Sequence, residues 1–262
     1  MLKTIGMVLG AMVLAMILTL LAVVSMKIGG IEAQLANLEK TAAALDQKLG
    51  ELASAGTPAP HAKKEPPHEV HWGYTGELNP AKWGEAFPVC GNGQSQSPID
   101  IRGPFEKATA PLKLDYKPIP LKILNNGHTL QVNAAPGSTL QINGQTYTLL
   151  QFHFHRPSEE LIEGKPAAMV AHFVHRSDAG KLAVVGVLLN EGRPNEVIKA
   201  VWANAPANAG PEVEVSGSAI NPAQMLPAKL DYYAYEGSLT TPPCTEGVQF
   251  YILKTPGTIS TD

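Results

Sequence analysis

The sequence has little charge and no excess of either sign. Its 262 residues carry a formal net charge of −3, with 16% charged residues and an isoelectric point near 6.2. No basic patch marks a nucleic-acid-binding surface, so that class is excluded, and the balance says nothing further about partners. No internal repeat is visible, which argues against repeat arrays. Charge is absent altogether from Ile5 to Met26. As a helix this stretch would span about 33 Å at roughly 1.5 Å per residue, enough to cross a bilayer. Val23-Val24-Ser25-Met26-Lys27 is a poor small-x-small cleavage site, so residues 1–27 are expected to remain as a transmembrane anchor. Lys3 and Lys27 nearly balance across it and leave its orientation open.

After the anchor, Ile28, Ile31, Leu35, Leu38, Ala42, Leu45, Leu49 and Leu52 recur three and four residues apart, with polar residues between. Such a heptad seam buries itself best against another copy. It predicts a parallel coiled-coil stalk over 28–52 and hence a homo-oligomer, with a single amphipathic helix as the alternative. Residues 53–69, including Pro58, Pro60, Pro66 and Pro67, read as a semi-extended linker, and His61 and His68 within it as solvated. The remaining 70–262 is ample for one core.

Helical signals are scarce in that region. Short β-runs bounded by Gly, Pro and Asn dominate: 121–124, 129–132, 139–142, 146–155, 168–175, 182–189 and 248–253. The one convincing helix runs from Pro194 to about Ala203. The fold is therefore expected to be mainly β with a few short helices.

The densest chemistry lies in Gln151-Phe152-His153-Phe154-His155, followed by Met169 to His175. Side chains alternate along a strand, so His153 and His155 share one face while Phe152 and Phe154 point into a core. The turn-like Arg156-Pro157-Ser158 and Glu163-Gly164-Lys165-Pro166 return the chain as a second strand. His172 and His175 on it are three apart and face opposite ways, so one of them can complete a three-histidine site. Three neutral imidazoles with an open fourth position are a common catalytic zinc arrangement. Ordinary half-buried strand histidines are the alternative.

These residues fall into a longer series. His71-Trp72-Gly73-Tyr74, Gln96-Ser97-Pro98-Ile99-Asp100, Asn125-Asn126-Gly127-His128, Gln151 to His155, Pro157-Ser158-Glu159, His172-Phe173-Val174-His175, Leu182-Ala183-Val184 and Gly237-Ser238-Leu239-Thr240-Thr241-Pro242-Pro243 occur in one order. In that order the chain after the linker resembles the α-class carbonic anhydrases, particularly the bacterial ones. The resemblance implies a central, mostly antiparallel twisted sheet and zinc-dependent hydration of carbon dioxide to bicarbonate.

The same resemblance implies roles. His153, His155 and His172 would hold Zn2+, with Gln151 serving His153 and His175 structural. Thr240 would accept a hydrogen bond from the attacking hydroxide and donate its own proton to Glu159. His128 would carry protons to solvent. Tyr74, Asn126 and Gln131 would line a polar wall, Val174, Val184 and Leu239 an apolar one, with Thr241 and Phe250 completing the pocket. Phe250 stands where the family commonly has Trp. Cys90 and Cys244 would pair, which requires an oxidising compartment and puts the domain in the periplasm or extracellular space.

Two departures stand out. The family often places a Glu two residues before its third ligand, and Val170 occupies that position, so His172 is expected to lean on a main-chain carbonyl or water. The family also continues for a few dozen residues beyond the point at which this chain stops, Asp262. Two other readings remain: a cupin-like metalloenzyme with Glu159 on the metal, and a catalytically silent binding or stalk module of the same fold.

Overall fold

The computed structural model describes residues 40–41, 70–107 and 110–261, and divides the chain after His68. The expected anchor, nearly all of the expected stalk and the linker lie outside the described residues. Among the described residues, no helix is long and apolar enough to cross a membrane. Lys40 and Thr41 are helical.

From Val70 onward the elements run α1 (Trp83–Ala86), α2 (Pro88–Asn92), β1 (Asp100–Ile101), β2 (Lys113–Asp115), β3 (Ile119–Asn125), β4 (Leu130–Asn133), β5 (Thr139–Ile142), β6 (Gln145–His155), β7 (Leu161–Ile162), β8 (Lys165–Pro166), β9 (Met169–Ser177), β10 (Leu182–Glu191), α3 (Glu196–Ala203), β11 (Val213–Ile220), a 3-10 turn (Pro222–Met225), β12 (Tyr232–Ser238) and β13 (Glu246–Ile259). Ten strands form one mostly antiparallel sheet. Its main path is β11-β3-β4-β6-β9-β10-β13-β12, with β2 and β5 extending from β6. The exception within it is β10 against β13, which run parallel. A small sheet, β1-β7-β8, stands apart.

Alternation along the central strands sorts the side chains. Phe152, Phe154, Ala171 and Phe173 turn to one face and join Leu121, Ile123, Val185, Val187 and Leu253 in the larger core, which α3 covers with Val197, Ile198 and Val201. On the other face Val170, Val184, Leu188, Val248, Phe250 and Ile252 form a smaller apolar cluster. The helix begins two residues later than Pro194. The Asn195 side chain accepts hydrogen bonds from the amides of Val197 and Ile198, at 3.0 and 3.3 Å, and so takes the capping position itself. Strands β1, β2, β7, β8, β11 and β12 and helices α1 and α2 were not expected from the sequence.

His175, on the larger core's face of β9, is fully buried. Its Nδ1 donates to the Ala183 carbonyl at 3.2 Å, and its Nε2 accepts from the Tyr116 hydroxyl at 2.9 Å. Burial pushes its pKa down to about 4, against the backbone hydrogen bonds that favour the charged form. Unfolded, it would titrate near 6.5. Between those values the unfolded chain takes up a proton that the folded protein refuses, so stability is lost as pH falls from about 6.5 to about 4, by roughly 3 kcal/mol from this residue alone. Urea midpoints measured across that window should fall with acid, and less steeply in His175→Gln; equal slopes in the two proteins would contradict this account.

Candidate metal centre

The floor of the site is built by β6 and β9. His153 and His172 are direct partners across the antiparallel pair, while His155 lies opposite Val170. The period of two puts His153 and His155 on the same face, and the register adds His172 from the neighbouring strand. Their ring centroids lie 5.0 to 5.6 Å apart. One nitrogen from each falls within 4.8 Å of the others, the single such cluster of candidate ligands among the described residues. Opposite His172, β10 presents Gly186. A Cβ there would sit 3.7 Å from the His172 ring and 2.5 Å from Ile252 Cδ1, so a side chain could enter only by displacing its neighbours.

The other ring nitrogens are each engaged. His153 Nδ1 lies 2.9 Å from the Gln151 side-chain oxygen, and donating there leaves Nε2 bare. His155 Nδ1 lies 3.2 Å from Glu159 Oε1, and its buried Nε2 has no partner. His172 Nε2 donates to Glu160, at 2.9 Å to Oε1 and 3.2 Å to Oε2, leaving Nδ1 facing the cluster. Glu160 is therefore the partner that His172 lacked in the sequence reading, in place of a main-chain carbonyl or water. Burial, reinforced by the charge of His172, pushes His153 down to about 3 and His155 to about 2, so both are neutral across the physiological range. Burial also opposes charge on His172 and Glu160, yet their mutual attraction raises the imidazole's pKa and lowers the carboxyl's. A dication needs neutral imidazoles with unshared nitrogens, and this donor set of three, two through Nε2 and one through Nδ1, suits zinc.

Above the floor is a cavity of about 190 Å³. Tyr74, Asn126, His128, Gln131 and Gln151 supply its polar lining, and Val174, Val184, Leu239 and Phe250 its apolar one, with Thr240 and Thr241 at the side. Gln131 is held by donation to Asn133 at 2.6 Å. Trp72 and Thr129 also line the cavity and were not expected as site residues, although Trp72 lies within the His71-Trp72-Gly73-Tyr74 motif. Trp72 stacks on His128 with ring centroids 3.8 Å apart and planes 9° apart. Burial, then the charge of His71, lowers the pKa of His128.

Glu159 does not line this cavity. It lines a second cavity of about 570 Å³ with Arg156, Phe154 and Trp202, which shares Tyr74, His128, Thr129 and His155 with the first. Burial pushes its pKa up to about 7, against the charge of His172 and the Thr240 hydroxyl, although Oε2 meets no group in well-aligned hydrogen-bond geometry. Its carboxylate faces the remote nitrogen of His155 and is not among the clustered ligands, contrary to the cupin-like reading.

The Thr240 segment is clamped from the N-terminal side. Ser97 and Ser238 exchange hydrogen bonds, backbone amide to hydroxyl in both directions, at 2.9 and 3.1 Å. Gln96 donates to the Cys244 carbonyl at 3.1 Å and to Glu246 at 3.0 Å. Cys90 and Cys244 form a disulfide.

A twisted, mainly antiparallel sheet carrying three bare imidazole nitrogens under a half-polar, half-apolar cavity forms a candidate metal site of the kind found in metalloenzymes. The family described as eukaryotic-type carbonic anhydrase matches residues 78–262. A carbonic anhydrase of Pectobacterium carotovorum is 42% identical over 196 residues, covering 74% of this chain and 80% of that protein. One from Neisseria gonorrhoeae is 44% identical over 192 residues, covering 72% and 75%. The structure of the Thermovibrio ammonificans α-carbonic anhydrase in complex with the inhibitor sulfanilamide superimposes with a TM-score of 0.70 at 38% identity, covering 73% of this chain and 86% of that one. The chain belongs to the α-type carbonic anhydrase family of enzymes.

The disulfide closes a loop of 154 residues. In the chain-entropy account, replacing both cysteines by serine removes about 5 kcal/mol of stability. Guanidinium unfolding of that double variant should show a clearly lowered midpoint; an unchanged one would contradict the chain-entropy account of this bridge.

Proposed function

We propose that this protein catalyses the reversible hydration of carbon dioxide to bicarbonate and a proton, with zinc held by His153, His155 and His172. The observation that carries the reading is the set of three imidazoles whose far nitrogens are already engaged and whose near nitrogens converge beneath a two-walled cavity. Zinc bound there would supply a nucleophile by lowering the pKa of a water to about 7, the effect for which carbonic anhydrases are the standard example.

The chain's own residues do the rest. Thr240 has one hydroxyl proton to give. When it donates to an ionised Glu159, its oxygen can only accept from the reacting hydroxyl, which fixes the direction of the attacking lone pair. Val174, Val184 and Leu239 present no hydrogen-bonding side-chain groups and leave room for an apolar gas molecule. His128, at the polar side, has an imidazole suited to take a proton near neutral pH and release it outward.

The disulfide supports a location outside the cytoplasm. With the apolar stretch at 5–26 and the heptads at 28–52, it fits a catalytic domain on a membrane-anchored, self-associating stalk in the periplasm or extracellular space.

Stopped-flow hydration of CO2 by the full chain, normalised to bound zinc, is the direct test. Activity should vanish on chelation and in His153→Ala. A zinc-loaded, folded protein without activity would favour a silent binding module. Thr240→Ala should lower kcat/KM by about 100-fold, as loss of one preorganised hydrogen bond commonly does. His128→Ala should lower kcat in dilute buffer, leave kcat/KM nearly unchanged and recover with added imidazole; insensitivity to buffer would remove His128 from the proton path.

A further inference from the structure

Glu160 is a charged residue with no exposure at all. An unpaired carboxylate buried to that degree would be strongly destabilising, so its surroundings should show what compensates it. Its side chain reaches His172 Nε2 with both oxygens, at 2.9 and 3.2 Å. The backbone that carries it is fixed separately. The Ser158 hydroxyl, on a residue 3% exposed, donates to the Glu160 carbonyl at 2.7 Å and accepts from the Ala167 amide at 2.9 Å. These bonds tie the turn after β6 to the approach of β9, so the carboxylate is set in place by the same connection that leads to His172.

No side chain on the histidine's own strand face could do this work. Val170, two residues earlier on β9, is fully buried in the smaller apolar cluster and offers no hydrogen-bonding atom. Glu159 stands 3.9 Å from the opposite nitrogen, Nδ1, and is closer to His155. Adjacent glutamates thus serve different rings.

Building on the zinc reading above, we propose that Glu160 is the positioning residue of the third ligand. Its carboxylate holds the proton of His172 on Nε2, fixes the ring's rotation, and keeps Nδ1 bare toward the other two imidazoles. The metal affinity of the centre therefore depends on a residue from the β6–β7 turn. Loss of such an outer partner commonly weakens metal binding by about 10 to 100-fold.

The test compares the full chain with Glu160→Gln and Glu160→Leu, measuring the zinc dissociation constant by competition with a chromophoric chelator and the visible absorption of the Co(II)-loaded form. Glu160→Gln keeps the shape and an acceptor oxygen but not the charge, and should bind zinc about 10-fold more weakly with a shifted Co(II) spectrum. Glu160→Leu should bind about 100-fold more weakly. The Gln variant decides the matter alone if the Leu variant does not fold by near-ultraviolet circular dichroism. Affinity and Co(II) spectrum equal to wild type in a folded Glu160→Gln protein would overturn the proposal. A wild-type chain that bound no zinc would instead overturn the function on which it rests, so the two failures are distinct.

Discussion

A neutral imidazole that offers one nitrogen to a metal carries its proton on the other, and that N–H almost always needs an acceptor to fix the ring's tautomer and rotation. That constraint accounts for much of the structure around the site. His153 finds its acceptor on its own strand face, at Gln151, because residues two apart in a strand are neighbours. His155 lies at the end of β6, and the turn that follows carries Glu159 to its Nδ1. His172 is interior to the sheet, with no polar neighbour along β9, and is met by Glu160 from the same turn. Three strand positions and one tight turn thus satisfy every remote nitrogen. The larger core fixes the plane from which the rings project, with Phe152, Phe154 and Phe173 filling the reverse of the same two strands.

The opposite side of the pocket depends on distant chain segments. Thr240 lies in a loop leaving the edge strand β12, where one side of the ladder has no partner in the main sheet. The Ser97–Ser238 exchange, the Gln96 and Glu246 contacts and the disulfide restrain that loop. The Gln96-Ser97-Pro98 run thereby acquires a physical meaning. Gly237 is part of the same fit, since a Cβ there would come within 2.0 Å of the Ser97 hydroxyl.

The floor of the site was legible in the sequence because its geometry is local: His-x-His in a strand needs only the period of two. The central strands were legible for the same reason, their apolar residues being frequent and bounded by turns. The Glu160–His172 contact was not, because it depends on how the turn and short strands between Glu160 and β9 fold back, which no periodicity records. The edge strands escaped notice for different reasons: much of β11 is exposed, and β12 is largely half-buried but ends in two consecutive buried residues, so neither shows the clean alternation of a half-buried strand. Similarly, α1 and α2 are only four and five residues long, too short for a helical pattern to emerge. The placement of Trp72 over His128 is a contact between separate loops, and its motif gave order along the chain but no distance.

The registers of the sheet also divide the centre by contact order. His155 and His172 are 17 residues apart, joined by a nearly local antiparallel pair, whereas His172 and Thr240 are 68 apart and meet only after the chain has crossed over to form the parallel β10–β13 pair. Closing the longer loop costs about 1 kcal/mol more in chain entropy, and parallel pairing at long range is intrinsically slow. The half that carries the three histidines is thus encoded in a hairpin-like unit, and the half that carries Thr240 in the long-range topology of the whole sheet. Changes to the crossover can therefore alter the second half while leaving the first in place.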